Sequence, residues 1–285
     1  SIRRRQRQMC IRDSYGTSER QIGWAFDQID DPKRILQTKV PPHNDPSIFE
    51  QELELSMSRL GSKKIDLLAI HGINLPEHLD MTIRPGGCLE IVRRWQKDGL
   101  IDHIGFSTHA NVDLIIKTIE TGLFDYVNLH WYFIRQENER ALQSANANDM
   151  GVFIISPTDK GGHLHTPSLK LLDLCSPLHP IEFNDLFCLR DKRIHTLSVG
   201  ASNPEDLDIH LSAISKMDSM YGLIDIIDRR LMDASYKSLG DSWLTTWRIG
   251  LPSWDQTPGE INIPILLWLN NCLLYTSPSP RDSDS

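Results

Sequence analysis

Residues 64–107 read KIDLLAIHGINLPEHLDMTIRPGGCLEIVRRWQKDGLIDHIGFS, and this stretch decides the fold. It opens with KIDLLAIH, a continuous apolar run that is typical of a strand buried on both faces. Residues 89–97 carry apolar side chains at helical spacing, and residues 103–107 form a second strand pattern. A strand, a helix and a strand in this order predict parallel strands joined by a right-handed crossover.

The same alternation continues on both sides of this stretch. Further strands are predicted at residues 34–40, 126–133, 152–156 and 194–199, and further helices at residues 18–29, 47–60, 112–120, 137–148 and 204–217. No G-x-G-x-x-G follows any of these strands, so a doubly wound nucleotide-binding sheet is not supported. Polar residues follow the strand ends instead, as on the catalytic face of a barrel: Lys39, His71, Ser107, Asn128, Ser156 and Ser202. We therefore predict an α/β fold, a (β/α)8 TIM barrel that is incomplete, with the first one to two βα units missing.

Composition excludes several classes of function. The 285 residues carry a formal net charge of -8, so a basic surface for nucleic acid is not expected. No apolar run approaches the roughly 18–20 residues that a membrane span needs. The five cysteines are scattered and form no C-x-x-C pair, which argues against a disulfide framework and against a zinc or iron–sulfur site. We expect a cytoplasmic protein without a metal site, and its oligomeric state stays open.

The two ends differ from the middle of the chain. Residues 1–13 form a basic segment without a hydrophobic period, and residues 272–285 are rich in Ser and Pro. We expect both to be non-native or disordered tails of a chain that is truncated at both ends. Between them we expect the barrel over residues 14–217 and a C-terminal helical extension of the barrel over residues 218–271.

Seven segments, in chain order, resemble the motifs of the aldo-keto reductase family. They are YGTSE at 15–19 with Gly23, TKV at 38–40, DLLAIH at 66–71, GLIDHIGFS at 99–107, FDYVN at 124–128, ISP at 155–157 and GASNPE at 200–205. The phrases SPTDKGGHLHTPS at 156–168 and INIPILLWLNN at 261–271 resemble a bacterial and archaeal branch of predicted oxidoreductases. That branch often carries a C-terminal ferredoxin-like module, so an iron–sulfur cluster is expected only in a missing C-terminal part.

The resemblance implies a catalytic set of Tyr15, Lys39 and His71. A carbonyl that accepts a hydride needs a proton at its oxygen, and a free tyrosine with a pKa of about 10 is a reluctant donor. A neighbouring lysine ammonium stabilises the phenolate and lowers that pKa, while a histidine orients the carbonyl oxygen. The family's carboxylate, five residues before the tyrosine, falls on Cys10 in this sequence.

The cofactor implied by the resemblance is NADPH or NADH, and the substrate is a small carbonyl compound. Its expected contacts are Ser107, Asn128, Ser156, Gly200, Ser202 and Asn203. Asp206 would repel a 2′-phosphate, yet the helix that begins at Pro204 offers its N-terminal amides to one, so the choice stays open. The alternative function is a non-catalytic, nucleotide-binding regulatory subunit, against which the joint presence of Tyr, Lys and His weighs. We interpret His163 and His165 as loop residues rather than metal ligands.

Overall fold

Six parallel strands form one sheet in which every strand lies beside its neighbour in the sequence. The structure, a computed structural model, describes residues 17–29, 34–158, 163–252 and 256–276. The strands are β1 (Gln37–Val40), β2 (Ile65–His71), β3 (Ile101–Ser107), β4 (Tyr126–Leu129), β5 (Gly151–Ile155) and β6 (Thr196–Ser198). With helices between the strands, this curled sheet confirms the predicted incomplete (β/α)8 barrel.

The chain divides into two compact units. Unit 1 comprises residues 1–161 and 191–199, and unit 2 comprises residues 162–190 and 200–285. Unit 1 holds the whole sheet and the helices α1 (Thr17–Gln28), α2 (Pro46–Leu60), α3 (Pro76–Ile83), α4 (Cys88–Lys97), α5 (Val112–Ile119) and α6 (Glu139–Ala147). Unit 2 holds α7 (Leu169–Cys175), α8 (Pro180–Leu189), α9 (Asp208–Leu239), α10 (Asp241–Thr246) and α11 (Ile263–Thr276), with 3-10 turns at His163–His165, Pro204–Leu207 and Pro258–Glu260. No helix in these described ranges is long and apolar enough to cross a membrane.

The register of the strands divides the sheet into two faces of different character. The outer face is apolar and fully buried, and it includes Val40, Ile70, Phe106, Val127 and Ile154. Side chains alternate along a strand, and paired residues of parallel strands point to the same side. The inner face therefore carries a row of register partners: Lys39, Ala69, Gly105, Tyr126 and Gly151.

In the middle of that inner row, the ring of Tyr126 packs closely against Gly105. A Cβ atom placed on Gly105 would lie 2.5 Å from Cζ of Tyr126, so the Tyr126 ring lies directly over the glycine backbone. Burial raises the pKa of the Tyr126 phenol well above its usual value, so this hydroxyl stays neutral. Gly105 is therefore required by packing, since any side chain at this position would displace the ring.

Glu19 and Gly23, two residues of the first family-like segment, both lie in helix α1 and hold it against its neighbours. Glu19 accepts a hydrogen bond from Thr38 Oγ1 at 2.8 Å and pairs with Arg59 at 3.3 Å, which joins α1 to β1 and α2. Gly23 lies one turn further along α1, and a Cβ there would stand 2.4 Å from the carbonyl oxygen of Arg59. Helix α1 thus packs backbone to backbone against the end of α2.

The structure also differs from the sequence-based elements in places. The strand predicted at residues 126–133 ends at Leu129, because Tyr132 and Arg135 form a local antiparallel bridge instead. The stretch between β5 and β6, for which no element was predicted, contains α7 and α8, and α3 was not predicted either. Both α3 and α8 begin with a proline at the first helical position. In a sequence, such a proline is easily taken for part of a loop, although it is common at the start of a helix.

The predicted domain boundaries stay a prediction. Helix α9 runs across the boundary expected between residues 217 and 218, and α11 continues to Thr276, past the expected start of the C-terminal tail at residue 272. Residues 1–13 lie outside the described residues.

Candidate active site

The carboxyl ends of β2, β3 and β4 place three predicted site residues side by side. In the register of the sheet, His71 pairs with Ser107, and Ser107 pairs with Asn128. Lys39 pairs with Ala69, two residues before His71, so Lys39 and His71 lie on the same inner face of adjacent strands. Both are at the carboxyl end of the sheet, as expected for the catalytic face of a barrel.

Hydrogen bonds between loops hold this row in place. The Gly72 backbone N–H donates to both Oγ and the carbonyl oxygen of Ser107, each at 3.0 Å, and the Ile73 N–H donates to the same carbonyl at 2.9 Å. Thr108 returns a bond from its hydroxyl to the Ile73 carbonyl at 2.8 Å, and its N–H donates to the Asn128 carbonyl at 3.1 Å. The strand ends are therefore tied to one another before any ligand binds, which is the preorganisation that a binding site requires.

Lys39 is a titratable group of this face whose pKa departs strongly from its usual value. It is half-buried at the end of β1, and burial lowers its pKa to about 8. Desolvation disfavours the charged form of a lysine, so an ammonium kept here gives up hydration and interacts strongly with any partner that is brought near it. Tyr15, the predicted partner, lies outside the described residues.

Asn128 presents an unsatisfied acceptor at the carboxyl edge. The residue is fully buried, and its Nδ2 is 3.5 Å from the Phe106 carbonyl oxygen. Its Oδ1 has no hydrogen-bond partner among the described residues. A buried amide oxygen without a donor is costly, so the position suits a ligand that brings an N–H group. The hydroxyl of Ser107, which accepts from Gly72, keeps its own hydrogen to donate.

Ser156 follows β5 in a strained conformation. Its φ is 55°, in the left-handed region, although serine carries a side chain and a proline follows. Non-glycine residues in this region cost roughly 1–3 kcal/mol and cluster at functional sites. The strain is consistent with the predicted contact role of Ser156.

The remaining three predicted contacts lie in unit 2, on the loop that follows β6. Gly200, Ser202 and Asn203 are all exposed there. Asp206 Oδ2 accepts hydrogen bonds from the backbone N–H groups of Ser202 at 2.7 Å and Asn203 at 3.1 Å. These two bonds lower the pKa of Asp206, so the carboxylate is charged at neutral pH.

Most of the sequence matches one family. A sequence model described as the aldo/keto reductase family matches residues 12–217. This chain belongs to the aldo/keto reductase family. No curated protein matches the chain at a significant level.

Two solved aldo-keto reductases share the fold of this family member. Aldo-keto reductase AKR11C1 from Bacillus halodurans, in its holo form, has a TM-score of 0.60 and 16% identity, covering 75% of this chain and 78% of that chain. The thermostable aldo-keto reductase Tm1743, in complex with the inhibitor epalrestat, has a TM-score of 0.60 and 21% identity, with the same coverage of 75% and 78%. At these identities the likeness shows the fold alone.

A histidine pair near the site was not predicted from the sequence of this aldo/keto reductase. His130 Nε2 and His109 Nδ1 are 3.0 Å apart, with His130 buried and His109 exposed. Each stands two residues after a predicted contact, His109 after Ser107 and His130 after Asn128. Both histidines lie in the loops beyond β3 and β4, and their equal distance from a predicted contact was the signal that the sequence offered.

His163 and His165 were interpreted as loop residues rather than metal ligands. His163 and His165 form a 3-10 turn, and His165 Nδ1 lies 3.9 Å from Asp206 Oδ1. Among the described residues no group of three or more His, Cys, Asp or Glu side chains could hold a metal ion.

Proposed function

We propose that this aldo/keto reductase is an NAD(P)H-dependent oxidoreductase that interconverts the carbonyl and alcohol forms of a small substrate. One observation carries the proposal: Lys39, the penultimate residue of β1, lies on the inner face of the barrel beside the strand that ends at His71, and burial lowers its pKa to about 8. The Lys39 ammonium, partly removed from water at the carboxyl end of the sheet, is suited to stabilising a phenolate or an alkoxide.

Three side chains act on the carbonyl oxygen of the substrate, each in a different role. Tyr15 donates the proton that this oxygen needs as negative charge develops on it. Lys39 lowers the pKa of Tyr15 by favouring the phenolate, so that one residue acts as acid in reduction and as base in oxidation. His71 donates a hydrogen bond that orients the carbonyl oxygen. A reduced nicotinamide, when bound, supplies the hydride that the carbonyl carbon accepts.

The residues at the edge of the sheet fit the carboxamide of such a cofactor. Asn128 Oδ1 offers the buried acceptor that an amide N–H fills, and the Ser107 hydroxyl offers a donor to the amide oxygen. Ser156, Gly200, Ser202 and Asn203 complete the proposed nucleotide contacts. We further propose a cytoplasmic enzyme whose partner is a small carbonyl compound, without a nucleic-acid or membrane partner.

The test compares Tyr15→Phe and Lys39→Met with the parent in single-turnover reduction of 4-nitrobenzaldehyde. Each substitution should slow reduction by roughly 10²–10⁴, the usual effect of losing a positioned general acid. Because both act through one proton transfer, the losses should not add in the double variant. Nucleotide affinity, measured separately by fluorescence, should change little.

Matched controls separate these effects from general damage. Tyr236→Phe removes an exposed hydroxyl, and Lys64→Met removes a lysine that pairs with Asp102 at the opposite end of β2. Both controls should keep the parental rate. A Tyr15→Phe variant that also keeps the parental rate while nucleotide still binds would make the regulatory nucleotide-binding subunit the better account.

A further inference from the structure

Lys39 has no negatively charged partner among the residues that the structure describes. Burial accounts for the lowered pKa of its ammonium, and no neighbouring carboxylate counteracts it. Lysines elsewhere in the chain differ, since Lys64 pairs with Asp102 at 2.7 Å and Lys216 pairs with Glu182. Lys39 is therefore a cation that no described carboxylate stabilises against the loss of its proton.

The inner row of the sheet gives Lys39 small and apolar neighbours. Its register partner on β2 is Ala69, and Gly105 follows on β3, covered by the ring of Tyr126. The Tyr126 phenol stays neutral, because burial raises its pKa well above the usual value. An amine in this row loses hydration without gaining an ion pair, which favours its neutral form. Lys39 is only half-buried, so a small molecule can still reach its amine.

The neutral amine of a lysine is a nucleophile towards a carbonyl carbon. At pH 7 a lysine with a pKa of about 8 has roughly a tenth of its population as free amine, roughly 300 times the fraction for the ordinary value of 10.5. Most of the population remains the ammonium that the proposed function requires. The two protonation states therefore give Lys39 two different chemistries at one position.

We propose that Lys39 is also a covalent site for aldehydes, at which its free amine forms a reversible imine with the carbonyl carbon. The nitrogen lone pair forms the C–N bond, and the carbonyl oxygen takes one amine proton, which gives a carbinolamine. The C–O bond then breaks, and the hydroxyl leaves as water with the second amine proton. The aldehyde and the amine thus give an imine and water, and neither an oxidant nor a reductant is needed.

The choice of an aldehyde rests on the proposed function, but the imine itself needs neither a nicotinamide nor Tyr15. A neutral imine at Lys39 removes the ammonium that Tyr15 needs in the proposed mechanism. The adduct therefore blocks reduction until water releases the aldehyde.

Reductive trapping measures the adduct directly. The full chain is treated with 4-nitrobenzaldehyde and sodium cyanoborohydride without nucleotide, and peptide mapping by mass spectrometry locates each 4-nitrobenzyl group. At pH 7 Lys39 should be labelled at least about tenfold faster than Lys64, because more of it is free amine. The ratio of the two rates should stay constant below about pH 8 and fall as pH rises towards 10.5, since Lys64 then begins to lose its proton as well. In urea the ratio should approach one, because burial no longer acts on Lys39.

Lys39→Arg and Lys64→Arg are a matched pair, since each keeps a cation but removes the nucleophilic amine. In a short exposure, Lys39→Arg should lose the fast lysine label of the parent, and Lys64→Arg should keep it. Equal labelling of Lys39 and Lys64 in the folded chain, or a difference that persists in urea, overturns the inference and leaves the proposed function intact.

Tyr15→Phe distinguishes the inference from the proposed function. This variant should reduce 4-nitrobenzaldehyde more slowly with a nicotinamide nucleotide, while its Lys39 is trapped at the parental rate. A parent whose Lys39 is trapped but that reduces no aldehyde with NADH or NADPH overturns the proposed function alone.

Discussion

At the scale of single residues, Lys39 lowers the stability of the fold at the proposed site. An ammonium group that is half removed from water lowers the free energy of unfolding, and the lowered pKa of about 8 expresses that cost. A lysine on the outside of the same barrel, such as Lys64 beside Asp102, carries no such cost. A residue that destabilises the fold at neutral pH fits the chemistry that we propose for it, because functional sites often carry residues that lower stability.

Lys39→Met should therefore stabilise the protein at pH 7. The unfolded chain holds its lysine proton up to the ordinary pKa of 10.5, whereas the folded chain releases it near 8, so the parent gains stability as pH rises through this window. Urea unfolding should show the variant more stable by about 1–3 kcal/mol at pH 7, with the difference shrinking towards pH 10.5. Lys64→Met should show no gain at either pH. A Lys39→Met variant that is less stable than the parent at pH 7 contradicts the prediction.

At the scale of secondary structure, several residues of the family motifs turn out to position strands. Asp66 Oδ2 accepts from the Leu36 N–H at 2.7 Å, and Asp125 Oδ2 accepts from the Ile104 N–H at 2.8 Å. Asp66 in β2 thus binds the residue just before β1, and Asp125, just before β4, binds a residue of β3. Both residues belong to segments that resemble the family motifs, but only the structure shows that their carboxylates bind a neighbouring backbone.

The strands and their order could be predicted because buried parallel strands are continuous apolar runs. The end of β4 could not, since the bridge between Tyr132 and Arg135 depends on a local turn that leaves no apolar period. The pairing of His109 with His130 required two loops to meet in space. Likewise, Asp206 could be suspected of repelling a phosphate from its charge, while its bonds to Ser202 and Asn203 required the loop geometry.

Gly23→Ala tests the backbone contact between α1 and α2. The added methyl group would lie 2.4 Å from the Arg59 carbonyl oxygen and 2.9 Å from the Leu60 carbonyl carbon, both backbone atoms that cannot move alone. We expect a loss of about 1–3 kcal/mol in the free energy of unfolding by urea, typical of overpacking. Gly222→Ala in α9 is the control, because nothing lies within 4 Å of its Cβ position. That control should gain about 0.5–1 kcal/mol from helix propensity. A Gly23→Ala variant that is as stable as the parent would contradict the close α1–α2 contact.

At the scale of the whole molecule, the two compact units rest on different interactions. Unit 1 is built on the apolar outer face of its sheet, where strand residues such as Ile70 and Phe106 are fully buried. Unit 2 buries ionisable groups between α8 and α9: Asp185 Oδ2 lies 2.5 Å from His210 Nδ1, and Glu182 accepts hydrogen bonds from Ser212 at 2.6 Å and from Lys216. Apolar burial is insensitive to protonation, whereas a buried ion pair loses its partner when either group changes charge.

Acid should therefore loosen unit 2 before the sheet of unit 1, with Glu182 as a principal cause. Burial raises the pKa of Glu182, but the hydrogen bonds from Lys216, Ser212 and the His179 amide outweigh burial and hold it below the ordinary 4.5. A carboxyl group with a lowered pKa stabilises the fold above its unfolded pKa and loses that contribution as pH falls through its folded pKa. Glu182→Gln should cost about 1–3 kcal/mol at pH 7, and the difference from the parent should shrink as pH falls below 4.5 and through the lower pKa of Glu182 in the folded chain.

Hydrogen exchange resolves the effect by segment. In the variant at pH 7, and in the parent on acidification, peptides from α8 and α9 should lose protection while peptides from β2 and β3 keep theirs, since local opening follows the interactions that hold each segment. Glu205→Gln, on an exposed carboxylate, should leave every segment as in the parent. Equal loss of protection in the sheet, or a destabilisation by Glu182→Gln that persists unchanged at low pH, would show that Glu182 acts through its shape rather than its charge.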